Sequence, residues 1–260
     1  MATIQKTLRN RVNVCGAWID NVSLEDVVSR IQASIKGGTP LYIVTPNVDH
    51  VVKLRHDKEF GDSYRGASLV LCDGAPLMWA SRILGQPIRE RICGSDLFVH
   101  LAGVAAEKGY KLFFLGGKPE SARKSADILI RKHPDVRIVG VYSPPFGFEK
   151  DVRENKKAVE LVRNAQPDIL LVGLGTPKQE KWINRHYRQT GVPVSIGIGA
   201  GFDFTAGIVK RAPLWIRRCG FEWLWRLTLE PVRLGKRYLV DDLEFFLLVL
   251  KQKWRLVRFD

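Results

Sequence analysis

The 260 residues carry 41 Lys and Arg against 27 Asp and Glu, a net charge of +14, and are long enough to bury a sizeable core without covalent staples. Cys15, Cys72, Cys93 and Cys219 lie far apart with no C-x-x-C pair, and the five histidines show no ligand spacing, which argues against a disulfide framework and a zinc site. No apolar run approaches the roughly 18 residues of a spanning helix, and Met1-Ala-Thr-Ile-Gln-Lys6 lacks the apolar stretch of a signal peptide, so the expectation is a cytoplasmic chain neither translocated nor anchored by a span.

After a basic, loose start (Lys6, Arg9, Arg11), Val12 to Ile19 reads as a short strand pair. Ser23, with Asp26 three residues on, caps a helix to about Ile35, and Gly37-Gly38-Thr39-Pro40 ends it. Leu41 to Val44 is a strand that ends in Thr45-Pro-Asn47, followed by a polar helical stretch through Tyr64. Ser68 to Cys72 is a second strand and delivers Asp73-Gly74 in the same way. Ala75 to Leu84 suits a buried helix, Arg89 to Gly94 a charged loop, and Ser95 the cap of a helix from Asp96 to Lys108. A regular βα period follows: strand Lys111 to Leu115, turn Gly116-Gly117, helix Pro119 to His133, strand Arg137 to Tyr142 and helix Asp151 to Ala165. Pro193 to Ile198 is the last strand. Strands alternating with helices of this length imply βαβ units and a parallel sheet covered on both faces.

Between these lies the most telling stretch, Asp168 to Trp182. Asp168 to Val172 has the continuous aliphatic character of a strand buried on both faces. Gly173 and Gly175 permit a tight turn, and Pro177 suits the first helical position. A phosphate fits beneath the free N–H groups of such a helix start, where Lys178 and Gln179 also stand, and Gln179 brings an amide that both donates and accepts. The same turn also serves as an ordinary well-packed connection, and spacing alone does not separate the two. It is not a dinucleotide fingerprint, because Lys178 stands where a third glycine belongs, and no phosphate-loop motif occurs elsewhere. That argues against a nicotinamide- or flavin-dependent oxidoreductase.

In doubly wound sheets ligands bind beyond the carboxyl ends of the strands. Thr45, Asn47, Asp73, Gly116, Gly117, Gly175 and Gln179 all fall at that edge, and their convergence is the strongest physical argument for a site. Asp73 is the best candidate acid or base, since partial desolvation at a strand end raises a carboxyl toward working pH, although an aspartate before a helix is commonly just its cap. Arg91 has the chemistry to neutralise a diphosphate, although an arginine in such a loop is more commonly a surface residue. No D-x-D pair and no G-x-S-x-G elbow occurs, which disfavours a metal-bound nucleotide and a hydrolase.

From Lys210 the texture changes. The last 51 residues hold 12 basic and 6 acidic side chains, about three times the net charge per residue of the rest. Trp215, Phe221, Trp223, Leu224 and Leu227 recur at helical spacing, and Leu243 to Leu250 precedes a basic end with Lys251, Lys253, Arg255 and Arg258. Such a segment suits an anionic membrane surface. Read from composition and spacing alone, it more readily describes a helical pair packed on the sheet with a solvated basic face. No helix-turn-helix, zinc-finger or RNA-binding signature accompanies the charge, so nucleic acid is not the expected partner.

The ordered set Thr45-Pro-Asn47, Cys72-Asp-Gly74, Arg91 with Gly94-Ser-Asp96, Leu115-Gly-Gly117, Val172 to Trp182, Gly199 to Asp203, Arg211-Ala-Pro213, Gly220 to Arg226, Glu230-Pro231, Arg233 and Arg237-Tyr238 resembles the WecG/TagA/CpsF family of bacterial glycosyltransferases. The resemblance covers Val12 to Tyr238. It implies an inverting, metal-independent transfer of a sugar, N-acetylmannosamine above glucose or N-acetylmannosaminuronic acid, from a UDP donor to a polyprenyl-diphosphate-linked sugar at the cytoplasmic membrane face. It further implies that Asp73 is the general base, that Thr45 and Asn47 line the sugar pocket, and that Arg91 and Gln179 hold donor or acceptor groups. Arg226 and Arg233, with Lys236 or Arg237, would close over the site and meet diphosphate. The expected architecture is α/β, a doubly wound Rossmann-like parallel sheet (residues 1–209) with a basic, aromatic-rich helical appendage that docks on the membrane (residues 210–260). The oligomeric state stays open between a monomer closed by its tail and a homo-oligomer that displaces it.

Overall fold

The computed structural model describes residues 10–238 and 242–259, apart from the side chain of Arg233; the basic start with Lys6 and Arg9 lies outside the described residues. The expected strand pair is an antiparallel hairpin, β1 (Arg11–Val14) and β2 (Ala17–Asp20), turned at Cys15-Gly16. Ser23 and Asp26 form a reciprocal capping box on α1 (Leu24–Gly37). After β3 (Leu41–Val44) the polar stretch through Tyr64 is two helices, α2 (Val48–His56) and α3 (Lys58–Arg65). The break is at Asp57, which is extended and whose carboxylate accepts from the Phe60 N–H, so it restarts a helix rather than continuing one.

The strand β4 (Leu69–Val70) is shorter than the aliphatic run suggested. It leads to α4 (Ala75–Ile83) and α5 (Gly94–Lys108). The latter begins at Gly94, with Cys93 as N-cap and no side-chain cap, so Ser95 is not the capping residue. A Cβ on Gly94 would lie 2.9 Å from Thr45 Oγ1 and 3.0 Å from the Gly197 carbonyl oxygen, so only glycine lets this helix start press onto the strand ends. Then come β5 (Lys111–Gly116), α6 (Pro119–Lys132), β6 (Arg137–Tyr142), α7 (Val152–Ala165), β7 (Ile169–Gly173), α8 (Lys178–Thr190) and β8 (Val194–Gly197). After α9 (Gly201–Thr205) the tail supplies α10 (Leu214–Arg218), α11 (Glu222–Leu229), α12 (Pro231–Lys236) and α13 (Leu243–Lys253).

Strands β3 to β8 form one parallel sheet in the order β4-β3-β8-β7-β5-β6. Alternate strand residues feed two separate cores, as a pleated sheet covered on both faces requires. Tyr42, Val44, Leu170 and Val172 pack on one side with α2, α3, α8 and the hairpin. Ile43, Leu112, Phe114, Leu171 and Ile196 pack on the other with α1, α5, α6 and α9. The chain therefore has the expected doubly wound, Rossmann-like α/β fold.

The end of the tail is anchored to the beginning of the chain. Phe245, Leu248 and Val249 of α13 join the first core. Gln252 accepts from the Cys15 N–H (2.7 Å) and donates to the Asn13 carbonyl (2.9 Å), and Asn13 donates to the Phe259 carbonyl (2.8 Å). Among the described residues no helix is long and apolar enough to cross a membrane.

Candidate active site

The loops after β3, β4, β7 and β8 meet at the carboxyl edge of the sheet and, roofed by the tail, enclose a cavity of about 420 Å³. Thr45, Asn47, Asp73, Arg91, Gly175, Gln179, Arg226 and Arg237, eight of the residues singled out in the sequence, line it together. Thr45 leaves β3 and its hydroxyl donates to the Gly197 carbonyl (3.3 Å), tying β3 to β8. Asn47 is the N-cap of α2 and accepts from the His50 N–H. Asp73 does not cap α4, for which Gly74 holds that position. Its N–H donates to the Pro46 carbonyl (3.0 Å), and the residue lines the cavity.

Burial pushes the Asp73 carboxyl up to about 6; Glu222 and Asp96 push the same way, while the Cys93 thiol and the Arg91 guanidinium oppose them. A carboxyl near 6 is ionised at neutral pH yet basic enough to accept a proton efficiently. Arg91 also donates to the Arg217 carbonyl (3.2 Å), so one side chain touches both the cavity and the tail.

Gln179 is buried at the second turn-forming position of α8. Its amide nitrogen donates to Glu180 (2.7 Å) and its oxygen accepts from the Gly199 N–H (3.1 Å), so both amide functions are already engaged within the protein. Pro177 precedes α8 as its N-cap rather than opening it. Burial raises the Glu180 carboxyl to about 7, against the hydrogen bond from Gln179, and one of its oxygens has no partner among the described residues.

Three expected residues stand elsewhere. Gly116 and Gly117 do not line the cavity: Gly116 abuts the Gly173 backbone and Leu174, and Phe202 of α9 packs over Gly117 and Gly173. A Cβ on Gly117 would lie 3.0 Å from the Phe202 ring and one on Gly173 2.7 Å, so these glycines admit a phenylalanine where a ligand was expected. Lys178 points away, pairing with Glu149 (2.5 Å) and lying over the Phe146 ring (4.5 Å). The Arg233 side chain lies outside the described ones.

Of Lys236 and Arg237, only Arg237 lines the cavity. Arg237 donates to Asn47 (3.4 Å) and pairs with Asp49 (3.6 Å), latching the tail onto the start of α2. A second clasp joins Arg211 to both oxygens of Asp96 (2.5 and 2.9 Å) and to Glu222 (3.2 Å). Arg226 lies over the Phe204 ring, 5.5 Å from its centroid. Among the described residues its Nε and the indole nitrogen of Trp223 are buried donors without partners, and both residues line the cavity. Unpaired buried donors are costly, and an acceptor-rich anion would satisfy them.

The sequence reading missed His50, Ser95, Thr176, Glu222 and Trp223, all of which line the cavity. Their signal was position: His50 sits one turn beyond the Asn47 cap, and Glu222-Trp223 stands just ahead of Arg226. Among the described residues no group of three or more His, Cys, Asp and Glu converges as metal ligands.

The curated relatives share this chain's extent. An N-acetylglucosaminyldiphosphoundecaprenol N-acetyl-beta-D-mannosaminyltransferase of Bacillus subtilis (strain 168) is 33 % identical over 211 residues, 81 % of this chain and 79 % of its own. A protein of the same name from Bacillus spizizenii (strain ATCC 23059 / NRRL B-14472 / W23) is 32 % identical over 192 residues, 74 % of this chain and 72 % of its own. Another, from Staphylococcus aureus (strain NCTC 8325 / PS 47), is 27 % identical over 238 residues, 91 % of each. The family model described as Glycosyl transferase WecG/TagA/CpsF family matches residues 12–258, and the chain belongs to that family.

Proposed function

We propose that this glycosyltransferase moves N-acetylmannosamine from a UDP donor to an N-acetylglucosaminyl diphosphate carried on a polyprenyl lipid, with inversion at the transferred carbon. The observation that carries the reading is the single cavity in which a carboxyl poised near 6, Asp73, faces guanidinium groups supplied by the tail. Asp73 takes the proton of the acceptor hydroxyl, whose oxygen attacks the anomeric carbon as its bond to the diphosphate breaks. UDP leaves with the bonding electrons, and Arg91, Arg226 and Arg237 offset its charge, so the reaction proceeds without a metal. The names of the relatives support the transferred sugar and the acceptor.

The tail sets the location in this proposal. Leu214, Trp215, Leu224, Val232 and Leu247 are exposed, as is Arg218, and exposed apolar and basic side chains of this kind suit the anionic cytoplasmic face of the membrane. The enzyme is then peripheral there, with residues 210–260 bringing the cavity to its lipid acceptor. The test is UDP release from a panel of UDP-sugars, with and without a synthetic N-acetylglucosaminyl diphospho-lipid and with EDTA throughout. Acceptor-dependent release with UDP-N-acetylmannosamine alone is expected. Release with another donor corrects the sugar, and loss of release in EDTA that added metal restores overturns metal independence.

A further inference from the structure

A chain of three buried or half-buried groups runs from the core to the cavity wall. The His50 ring is 3 % exposed and both its nitrogens are engaged. Nδ1 is 2.5 Å from the Tyr64 hydroxyl and Nε2 is 2.5 Å from the Thr176 hydroxyl. Thr176 lies in the turn between β7 and α8, beside Gly175, and lines the cavity with it.

The protons on this chain are fixed by what each group can do. Burial lowers the His50 pKa to about 3, so the ring is neutral and has one donor and one acceptor nitrogen. Burial raises the Tyr64 phenol, which keeps its proton. The described hydrogen bonds give that proton no acceptor other than His50 Nδ1. Tyr64 therefore donates to Nδ1, which leaves the ring proton on Nε2, and Nε2–H donates to Thr176. Because it accepts that bond, the Thr176 hydroxyl does not spend its own hydrogen on His50 and keeps it for the cavity. The reverse arrangement would turn the Thr176 proton inward and leave the phenol proton buried without a partner, which is the costlier state.

We infer that Thr176 is a binding residue whose hydroxyl donates to a diphosphate oxygen of the sugar donor, and that Tyr64 and His50 are positioning residues that hold it in the donating orientation. The ligand half of this inference rests on the UDP-donor reading above. The relay half stands on the unliganded structure.

Two measurements test it. The first is the ¹⁵N imidazole spectrum of the unliganded protein, with His50 assigned by comparison with His50→Gln. The Nε2–H tautomer is expected, and the Nδ1–H tautomer overturns the relay. The second is calorimetric titration of UDP into wild type, Thr176→Val, Tyr64→Phe and the double variant. Thr176→Val should weaken binding about ten- to a hundredfold, as loss of a hydrogen bond to a charged group does. Tyr64→Phe, which removes a group outside the cavity, should weaken it as well, because the ring proton is then free to move and Thr176 to turn inward. The double variant should bind no more weakly than Thr176→Val, since both changes remove one donor; a purely structural effect of Tyr64 would add instead. Additive losses overturn the relay, and wild-type affinity in Thr176→Val overturns the binding role. Absence of UDP binding to wild type overturns the donor reading and the ligand half with it, while the tautomer still decides the relay.

Discussion

Replacing Asp73 by Asn should slow the enzyme and stabilise the fold, and the two effects share one cause. The folded-state carboxyl stands near 6 against an unfolded value of 3.8, because the cavity desolvates it more than Arg91 and Cys93 compensate. A raised carboxyl pKa stabilises the folded state while protonated. That contribution is complete below about 4 and is lost as pH rises through about 6. About two pH units at roughly 1.4 kcal/mol each put the cost of the ionised side chain on the order of 3 kcal/mol at neutral pH. Asn has the same shape and no charge to desolvate. Urea unfolding of wild type and Asp73→Asn from pH 4 to pH 8 should show a stability difference that grows with pH in favour of Asn and levels off above about 6. In parallel, turnover of Asp73→Asn should fall by roughly two or more orders of magnitude with UDP affinity near normal, as for loss of a general base. Wild-type turnover should fall about tenfold per pH unit on the acid side of about 6. A stability difference independent of pH would show that the carboxyl is not held at an unusual pKa, and unchanged turnover would remove Asp73 from the base role.

Further expectations follow from the same geometry. Glu180→Gln keeps the acceptor that Gln179 uses but removes a buried carboxyl raised to about 7. Its raised pKa stabilises the folded state only at lower pH, so the variant should melt several degrees above wild type at pH 8 and close to it at pH 4; a gap that is largest at pH 4 would contradict this. Leu214→Ser with Trp215→Ser alters two exposed apolar residues and should weaken sedimentation with anionic vesicles while leaving thermal stability within about 1 kcal/mol. Undiminished vesicle binding would move the docking surface elsewhere.

Much of the fold is written locally. The aliphatic runs at Leu41–Val44, Lys111–Gly116 and Ile169–Gly173 read as buried strands because both faces of each are covered. The capping box at Ser23 marked a helix start for a reason contained within four residues. Where a boundary depended on a distant partner, local reading missed it. Helix α5 starts at Gly94 because that residue abuts Thr45 and Gly197, and nothing near Gly94 in sequence records the contact.

The site divides the same way. That Thr45, Asn47, Asp73, Gly175 and Gln179 stand at strand ends followed from the alternation of strand and helix, since a parallel sheet puts all its carboxyl ends on one edge. Which strand ends stay open was decided by tertiary packing: Phe202 covers Gly117 and Gly173, and Lys178 turns to Glu149. Charge and aromatic content marked the tail as distinct, but its return to the site depends on Arg211 with Asp96 and Arg237 with Asp49, pairs separated by more than 100 residues. The sheet, its edge and the residue types gathered there follow from propensity and periodicity, which act over a few residues. Which of those residues share a cavity, how far Asp73 is desolvated and how His50 is held depend on long-range packing, because burial and hydrogen-bond partners belong to groups that meet only after folding.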